Sequence, residues 1–340
     1  MHRNSTTGTE VAVFGAAGHT GRFVVAELLR RGLTPIAIGR NAATLEEKLP
    51  GEGIRRRQAT INDASSLDRA LQGAKAVINC AGPFLDTAEP VAAAALRAGI
   101  HYLDVTAEQP SASDTLARFD APARAAGVAV IPAMGFYGGL ADLLATAATG
   151  DGKADAIEIM IGLDSWHPTR GTRITGDRNT AQRLVVSGGQ FVPLPRPARE
   201  TSWDFGGALG RQPLVELPFS EIVLIAGHIQ TTELRTWLSS VALTDLRDPE
   251  TPAPQAADEA GRSEQRFQVD IVVTRGGERR HASARGRDIY AVSAPLVCEA
   301  AQRLLDGRFA MAGAHPPGAL FDTASVLAAL APEHLEYELG

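Results

Sequence analysis

The stretch Val11-Ala12-Val13-Phe14-Gly15-Ala16-Ala17-Gly18-His19-Thr20-Gly21 constrains the fold of this chain more than any other. Val11 to Phe14 reads as a short buried parallel strand. Three glycines follow at intervals of three. Arg22 to Arg31 then reads as a helix, with Val24, Val25, Leu28 and Leu29 on one face and Gly32 as its stop. Strand, glycine turn and helix together give the context of a dinucleotide site. Glycine lets the backbone turn tightly and approach a pyrophosphate, and the helix N-terminus offers free N–H groups to the phosphates. The cofactor contacts expected here are Gly15, Ala17, Gly18, His19, Thr20 and Gly21. The competing reading is an ordinary tight strand-to-helix turn.

A chain of 340 residues suggests two domains, and 44% hydrophobic residues suffice for sizeable cores. The net charge of −6 argues against a nucleic-acid or anionic-membrane surface. No apolar run approaches a membrane span, and residues 1–9 lack the apolar stretch of a signal peptide. They read as a flexible tail. Two cysteines, Cys80 and Cys298, form neither a disulfide framework nor a metal spacing. A reduced, cytoplasmic compartment is expected.

The second strand, Pro35 to Ile38, ends in Gly39-Arg40-Asn41. NAD-binding folds usually place an acid here for the ribose 2′-hydroxyl. Arg40 stands there instead, and a guanidinium pairs with a 2′-phosphate. NADP is therefore expected, with Arg40 and Asn41 among its contacts. A short helix, Asn41 to Leu49, and a third strand from Arg55 lead to Asp63. That residue either meets the adenine amino group or caps the helix starting near Ala64. The fourth strand, Ala76 to Cys80, runs into Ala81-Gly82-Pro83-Phe84. This turn stands at the carboxyl end of a strand, where open α/β sheets bind ligands. Cys80, Ala81, Gly82, Pro83 and Phe84 are added to the expected cofactor contacts. Pro90 is expected to open the next helix. A fifth strand, His101 to Thr106, a helix from Ser111 to Ala126 and a sixth strand, Val128 to Pro132, complete the alternation.

The expected fold is α/β: a Rossmann-type doubly wound parallel sheet with an inserted, largely antiparallel α+β domain. The dinucleotide-binding domain is placed at 10–150 and the inserted sheet domain at 151–285. C-terminal helices, 286–340, are expected to pack back on the first domain. Ala156–Leu163, Ile222–Ile225 and Phe267–Thr274 read as segments of the inserted sheet, and Pro193–Gly210 reads as loop.

Gly15-x-x-Gly18-x-x-Gly21, Gly39-Arg40, Asn79-Cys80-Ala81-Gly82-Pro83-Phe84 and His101-Tyr102-Leu103-Asp104-Val105-Thr106-x-Glu108 resemble the saccharopine dehydrogenase-like oxidoreductases. The branch that includes the bacterial trans-acting enoyl reductases is the most similar. The likeness covers residues 11–142, and Gly286-Arg287-Asp288-x-Tyr290 adds to it. It implies an NADP-dependent reductase, with substrates that range from imines to enoyl groups. Relatives often carry Gly-Phe-Asp-Ser-Ile-Pro after the sixth strand. Here Gly135-Phe136-Tyr137-Gly138-Gly139 puts a tyrosine in place of the acid.

The cofactor performs hydride transfer, and the protein must place it and handle one proton. Lys48, Lys75 and Lys153 are the lysines, and none follows a tyrosine by four, which excludes the Tyr-x-x-x-Lys route. No Gly-x-Ser-x-Gly is present for a serine hydrolase. The eight histidines show no metal spacing, so no metal is expected. Tyr137 is the first candidate proton donor and Glu108 the second, each weighed against a packing or turn-fixing role. The expected activity is NADPH-dependent reduction of a C=C or C=N bond in a small or carrier-bound metabolite. No nucleic-acid or membrane partner is expected, and a homodimer through the inserted sheet is the candidate assembly. The alternative is a non-catalytic NADP-binding regulator or scaffold.

Overall fold

The computed structural model describes residues 8–150 and 153–340. Most of the expected tail and the first two residues of the expected inserted domain lie outside the described residues. The first half alternates strand and helix: β1 (Glu10–Phe14), α1 (His19–Arg30), β2 (Thr34–Gly39), α2 (Ala42–Lys48), β3 (Arg55–Gln58), α3 (Ala64–Leu71), β4 (Ala76–Asn79), α4 (Phe84–Arg97), β5 (His101–Asp104), α5 (Gln109–Ala126) and β6 (Ala129–Ile131). A turn at Phe136–Leu140 and α6 (Ala141–Thr149) follow. The second half holds β7 (Ala154–Leu163), α7 (Arg170–Arg178), β8 (Leu184–Ser187), β9 (Gln190–Pro193), β10 (Glu200–Asp204), β11 (Arg211–Glu216), α8 (Glu221–Ala226), β12 (Thr231–Ser239), α9 (Ser240–Arg247), β13 (Arg266–Arg275) and β14 (Glu278–Arg287). It closes with α10 (Ser293–Leu305), β15 (Gly313–Ala314), α11 (Pro317–Leu320), α12 (Thr323–Leu330) and β16 (Leu335–Leu339).

The first sheet is parallel, in the order β15-β6-β5-β4-β1-β2-β3. The order reverses between β1 and β4, and a doubly wound sheet opens its crevice beyond the carboxyl ends of two such strands. The second sheet runs β10-β11-β12-β7-β13-β14-β16, with β8 and β9 paired at the side. Its pairs are antiparallel apart from β12 with β7. One core joins the sheets. Ile157, Ile159 and Ile161 of β7 and Val269 and Ile271 of β13 pack with Leu143 and Leu144 of α6 and the Phe136–Leu140 turn. The α10 helix lies against α1, where Arg31 donates to the Glu299 carboxylate at 2.6 Å.

Several expected boundaries move for local reasons. α4 starts at Phe84 rather than Pro90, because the Glu108 carboxylate accepts the Phe84 N–H at 2.8 Å and anchors the first turn. Pro90 then sits inside the helix, where it forgoes the bond to the Asp86 carbonyl. α5 likewise runs unbroken past Pro122. β5 stops at Asp104 because the Asp104 side chain takes the Thr106 N–H at 2.9 Å. Ile222–Ile225, expected in the sheet, is the body of α8; a four-residue apolar run carries no period that separates a buried helix from a strand. The expected loop 193–210 contains β10. The C-terminal segment is not all helical: β15 extends the first sheet beside β6, and β16 pairs with β14 in the second.

Candidate functional site

Gly15 stands at φ +79, a backbone conformation that L side chains rarely adopt. A Cβ there would come within 2.8 Å of the Ala81 Cβ, so the glycine turn and the β4 exit loop press together at the switch point. Gly21 is packed against backbone: a Cβ would stand 2.9 Å from the Ala16 Cα and carbonyl oxygen. Gly18 differs. A Cβ there would meet the Gly15 carbonyl oxygen at 3.1 Å and nothing else within 4 Å, so its outer side is open. Gly18 is also the N-cap of α1 and contributes no side-chain cap, which leaves first-turn N–H groups for a ligand. His19, the first residue of α1, has a buried Nε2 with no partner. Its ring lies edge-on to Phe23 and Tyr290, each at 5.3 Å, and burial lowers its pKa. Ala17 and Thr20 complete this turn and remain partly accessible.

The other expected contacts divide into accessible groups and groups with structural duties. Arg40 is exposed, and its guanidinium has no bond or ion pair among the described residues. The Asn41 side chain accepts the Thr44 N–H at 3.0 Å and caps α2. Asp63 accepts the Ser66 N–H at 3.1 Å through Oδ1 and so caps α3. Ala81 is fixed by Asn79, whose Oδ1 accepts the Ala81 N–H at 3.0 Å. Asn79 also donates to Thr87 and Tyr102, and Tyr102 donates to Asp104 at 2.9 Å. Burial pushes the Asp104 carboxyl up to about 6, against backbone donors from Ala133 and Thr106. This buried network shapes the loops after β4, β5 and β6. Burial holds the Cys80 thiol protonated, so it serves as part of the wall. α7 crosses above the Gly82-Pro83-Phe84 turn: Thr175 Oγ1 lies 2.8 Å from where a Gly82 Cβ would stand. The Arg178 guanidinium grips the Asp86 carboxylate at 2.5 and 3.0 Å.

Glu108 and Tyr137 are held differently. Glu108 binds the α4 N-terminus through one oxygen, while the other is buried and unpartnered; burial raises its pKa. Tyr137 is 9% exposed and its hydroxyl has no partner. Its ring packs on Phe219 at 4.3 Å, Phe136 at 4.8 Å and Trp166 at 5.1 Å. Burial drives the phenol pKa well up, so it is a neutral donor. The turn that carries it needs Gly138, at φ +143, where a Cβ would stand 2.6 Å from the Ala133 carbonyl oxygen. Ser220 Oγ donates to the Tyr137 carbonyl at 2.6 Å, and Ser293 Oγ accepts the Phe136 N–H at 3.0 Å.

Residues 11–131 match the family model described as the saccharopine dehydrogenase NADP binding domain. This stretch is an NADP-binding domain of that type. The chain is similar to the saccharopine dehydrogenase-like oxidoreductase of Homo sapiens, 27% identical over 224 residues, which are 57% of this chain and 52% of that protein. It is similar to a probable mitochondrial saccharopine dehydrogenase-like oxidoreductase of Arabidopsis thaliana, 29% identical over 143 residues, 37% of this chain and 32% of the relative. The chain thus spans from about a third to about half of the length of these curated relatives. Among solved structures, saccharopine dehydrogenase (L-Glu forming) from Saccharomyces cerevisiae superposes with a TM-score of 0.67. That match covers 98% of this chain and 100% of the other at 13% identity, and establishes a common fold.

The glycine turn, Arg40 and the β4 exit loop lie within the matched residues 11–131. Four side chains beside Tyr137 escaped the sequence reading as a group: Trp166, Arg183, Phe219 and Glu221. Trp166 carried a weak signal as an aromatic of the second domain. Arg183 and Phe219 sit in polar or proline-rich loops that look solvated in sequence. His228 of the second domain lies 2.7 Å from Asp142 and belongs to a separate, partly buried pair.

Proposed function

We propose that this chain is an NADPH-dependent reductase of a C=C or C=N bond in a small or carrier-bound metabolite. The observation that carries the reading is the buried, unpartnered hydroxyl of Tyr137 in the loop after β6, within a fold whose first domain binds NADP. The names of the relatives, oxidoreductases, support an enzyme over a regulator. The residues present fit the cofactor. Gly15, Ala17, Gly18, Thr20 and Gly21 leave the α1 N-terminus open, and His19 brings an unsatisfied ring nitrogen. Arg40 would hold the 2′-phosphate in a strand end that lacks the acid of NAD folds. Cys80, Ala81, Gly82, Pro83 and Phe84 would wall the nicotinamide side.

The bound cofactor supplies the hydride. Tyr137 supplies a proton or a hydrogen bond to the carbonyl or nitrogen that accumulates charge. Glu108 orients the Pro83–Phe84 turn and is the second candidate for the proton. α7 and the aromatic rings exclude water. Titration with NADPH and NADH, followed by NADPH oxidation against enoyl and imine panels, tests this reading. The reading fails if the native chain binds neither cofactor.

Finer assignments belong to the same proposal. The enoyl-reductase branch is the part of the family that the sequence most resembles. A homodimer through the second sheet has exposed strand edges at β10 and β16 available; sedimentation measures it. No described helix is long and apolar enough to cross a membrane. Two free cysteines favour a reduced compartment such as the cytoplasm, checked by fractionation.

A further inference from the structure

Beside Tyr137 lies a cation without an anion. Arg183 is half-buried, and its guanidinium stands 4.9 Å from the centroid of the Phe219 ring that also packs Tyr137. Its Nη1 donates to the Pro218 carbonyl at 2.5 Å, and no carboxylate lies within 4.0 Å among the described residues. The carboxyl group whose charge bears on it is Glu221, which is fully buried. Glu221 accepts the Phe219 N–H at 2.8 Å and the Thr236 hydroxyl at 2.6 Å through one oxygen, and its other oxygen has no partner. Burial pushes Glu221 toward its neutral form. Three neighbouring groups, the Tyr137 hydroxyl, the Arg183 fork and a Glu221 oxygen, are therefore left with unused hydrogen-bonding capacity around one aromatic ring.

Taking a guanidinium even partly out of water without an anion is unfavourable. Stacking on Phe219 recovers only part of that cost. An Arg placed this way, with free N–H groups and a neutral donor beside it, is built to receive a planar or tetrahedral oxyanion. The connecting residues Thr180, Ala181 and Gln182 are exposed, so the segment that leads into Arg183 faces solvent. The adjacent rings of Trp166 and Phe219 suit a flat unsaturated body.

We infer that Arg183 anchors an anionic group of the substrate, a carboxylate or a phosphate ester, next to the unsaturated bond that Tyr137 addresses. The inference rests on the reductase reading of this site. It adds a charge requirement that the reading itself lacks: a neutral substrate of the same shape binds worse.

The test uses protein saturated with NADP+ and isothermal titration of trans-cinnamate, its neutral amide and phenyl phosphate, with inorganic phosphate as the anion lacking a body. Losing one charge-assisted contact corresponds to about 10- to 150-fold in affinity. Cinnamate or phenyl phosphate is expected to bind at least about 10-fold tighter than the amide, and whichever is tighter identifies the anion. Arg183→Met should erase that preference, and Arg183→Lys should keep part of it. Affinities of cinnamate and of phenyl phosphate that both fail to exceed that of the amide in the native protein overturn the inference without needing any variant. So does a preference that survives Arg183→Met, or NADP+ binding with no binding of either anion. Failure of NADP+ to bind in the same cell removes the reductase reading, and this inference with it.

Discussion

Replacing Tyr137 with phenylalanine separates chemistry from packing. The Tyr137 ring contacts Phe219, Phe136 and Trp166 at 4.3–5.1 Å, and phenylalanine keeps all three. What it loses is a hydroxyl that is buried and without a partner. A buried polar group with no hydrogen bond costs about 1–3 kcal/mol of stability. Tyr137→Phe should therefore stabilise the cofactor-free protein by roughly that amount. In a chain of 340 residues each kcal/mol moves Tm by about 1–2 °C, so a rise of a few degrees is expected by circular dichroism at pH 7. The same change should lower kcat by about 10²- to 10⁴-fold once a substrate is in hand, with NADPH affinity retained. A fall in Tm would refute the stability argument, because it would mean the hydroxyl is bonded in solution. Unchanged kcat would move the proton to another donor, with Glu108 first.

Four further outcomes follow from the geometry. Gly18→Val should abolish NADPH binding in a fluorescence titration while the fold survives, because only the Gly15 carbonyl oxygen lies near that Cβ. Gly21→Ala, forced to within 2.9 Å of the Ala16 backbone, should instead cost about 1–3 kcal/mol in thermal unfolding. Arg40→Ala should reduce the preference for NADPH over NADH by about 10- to 150-fold, read from the two dissociation constants. The His228 pair carries a pH signature. Burial alone would lower the His228 pKa, but the Asp142 charge and hydrogen bond outweigh it and raise the pKa above 6.5. A raised folded-state value means the stabilisation is full below 6.5 and fades as pH climbs through the folded value. The Tm difference between native protein and His228→Gln should be largest near pH 5.5 and shrink by pH 9; a difference independent of pH would mean the pair is not ionic.

Much of the first domain was legible because its signals are local. Strand, glycine turn and helix follow one another within Val11 to Arg30, and the positive φ at Gly15 is a property the residue announces. The misplaced boundaries have non-local causes. The α4 start depends on a carboxylate 24 residues later in the chain. β16 exists because β14 offers it an edge 48 or more residues earlier. α8 and a buried strand share the same apolar run, and only the packing of Glu221 and Ile222 chooses between them. Arg183 was invisible for the same kind of reason: its burial is imposed by Phe219 and Pro218, and nothing in its own neighbourhood in sequence predicts a stacked guanidinium.

The Tyr137 turn is where local rules and the structure part company, and that carries weight for function. Gly138 takes a conformation reserved for glycine, and Ser220 and Ser293 spend their hydroxyls holding the backbone on either side. Such over-determined, locally costly geometry tends to sit at sites that do chemistry. Packing alone does not explain the residue. Phe136, immediately before it, fills its share of the same cluster with no hydroxyl at all. The phenol oxygen is the one part of Tyr137 that packing leaves unused. The unpaired guanidinium of Arg183 shares the Phe219 ring with it. The proposed substrate would answer both unmet polar demands around that one aromatic ring, with an oxyanion at Arg183 and a reacting carbonyl or imine at Tyr137.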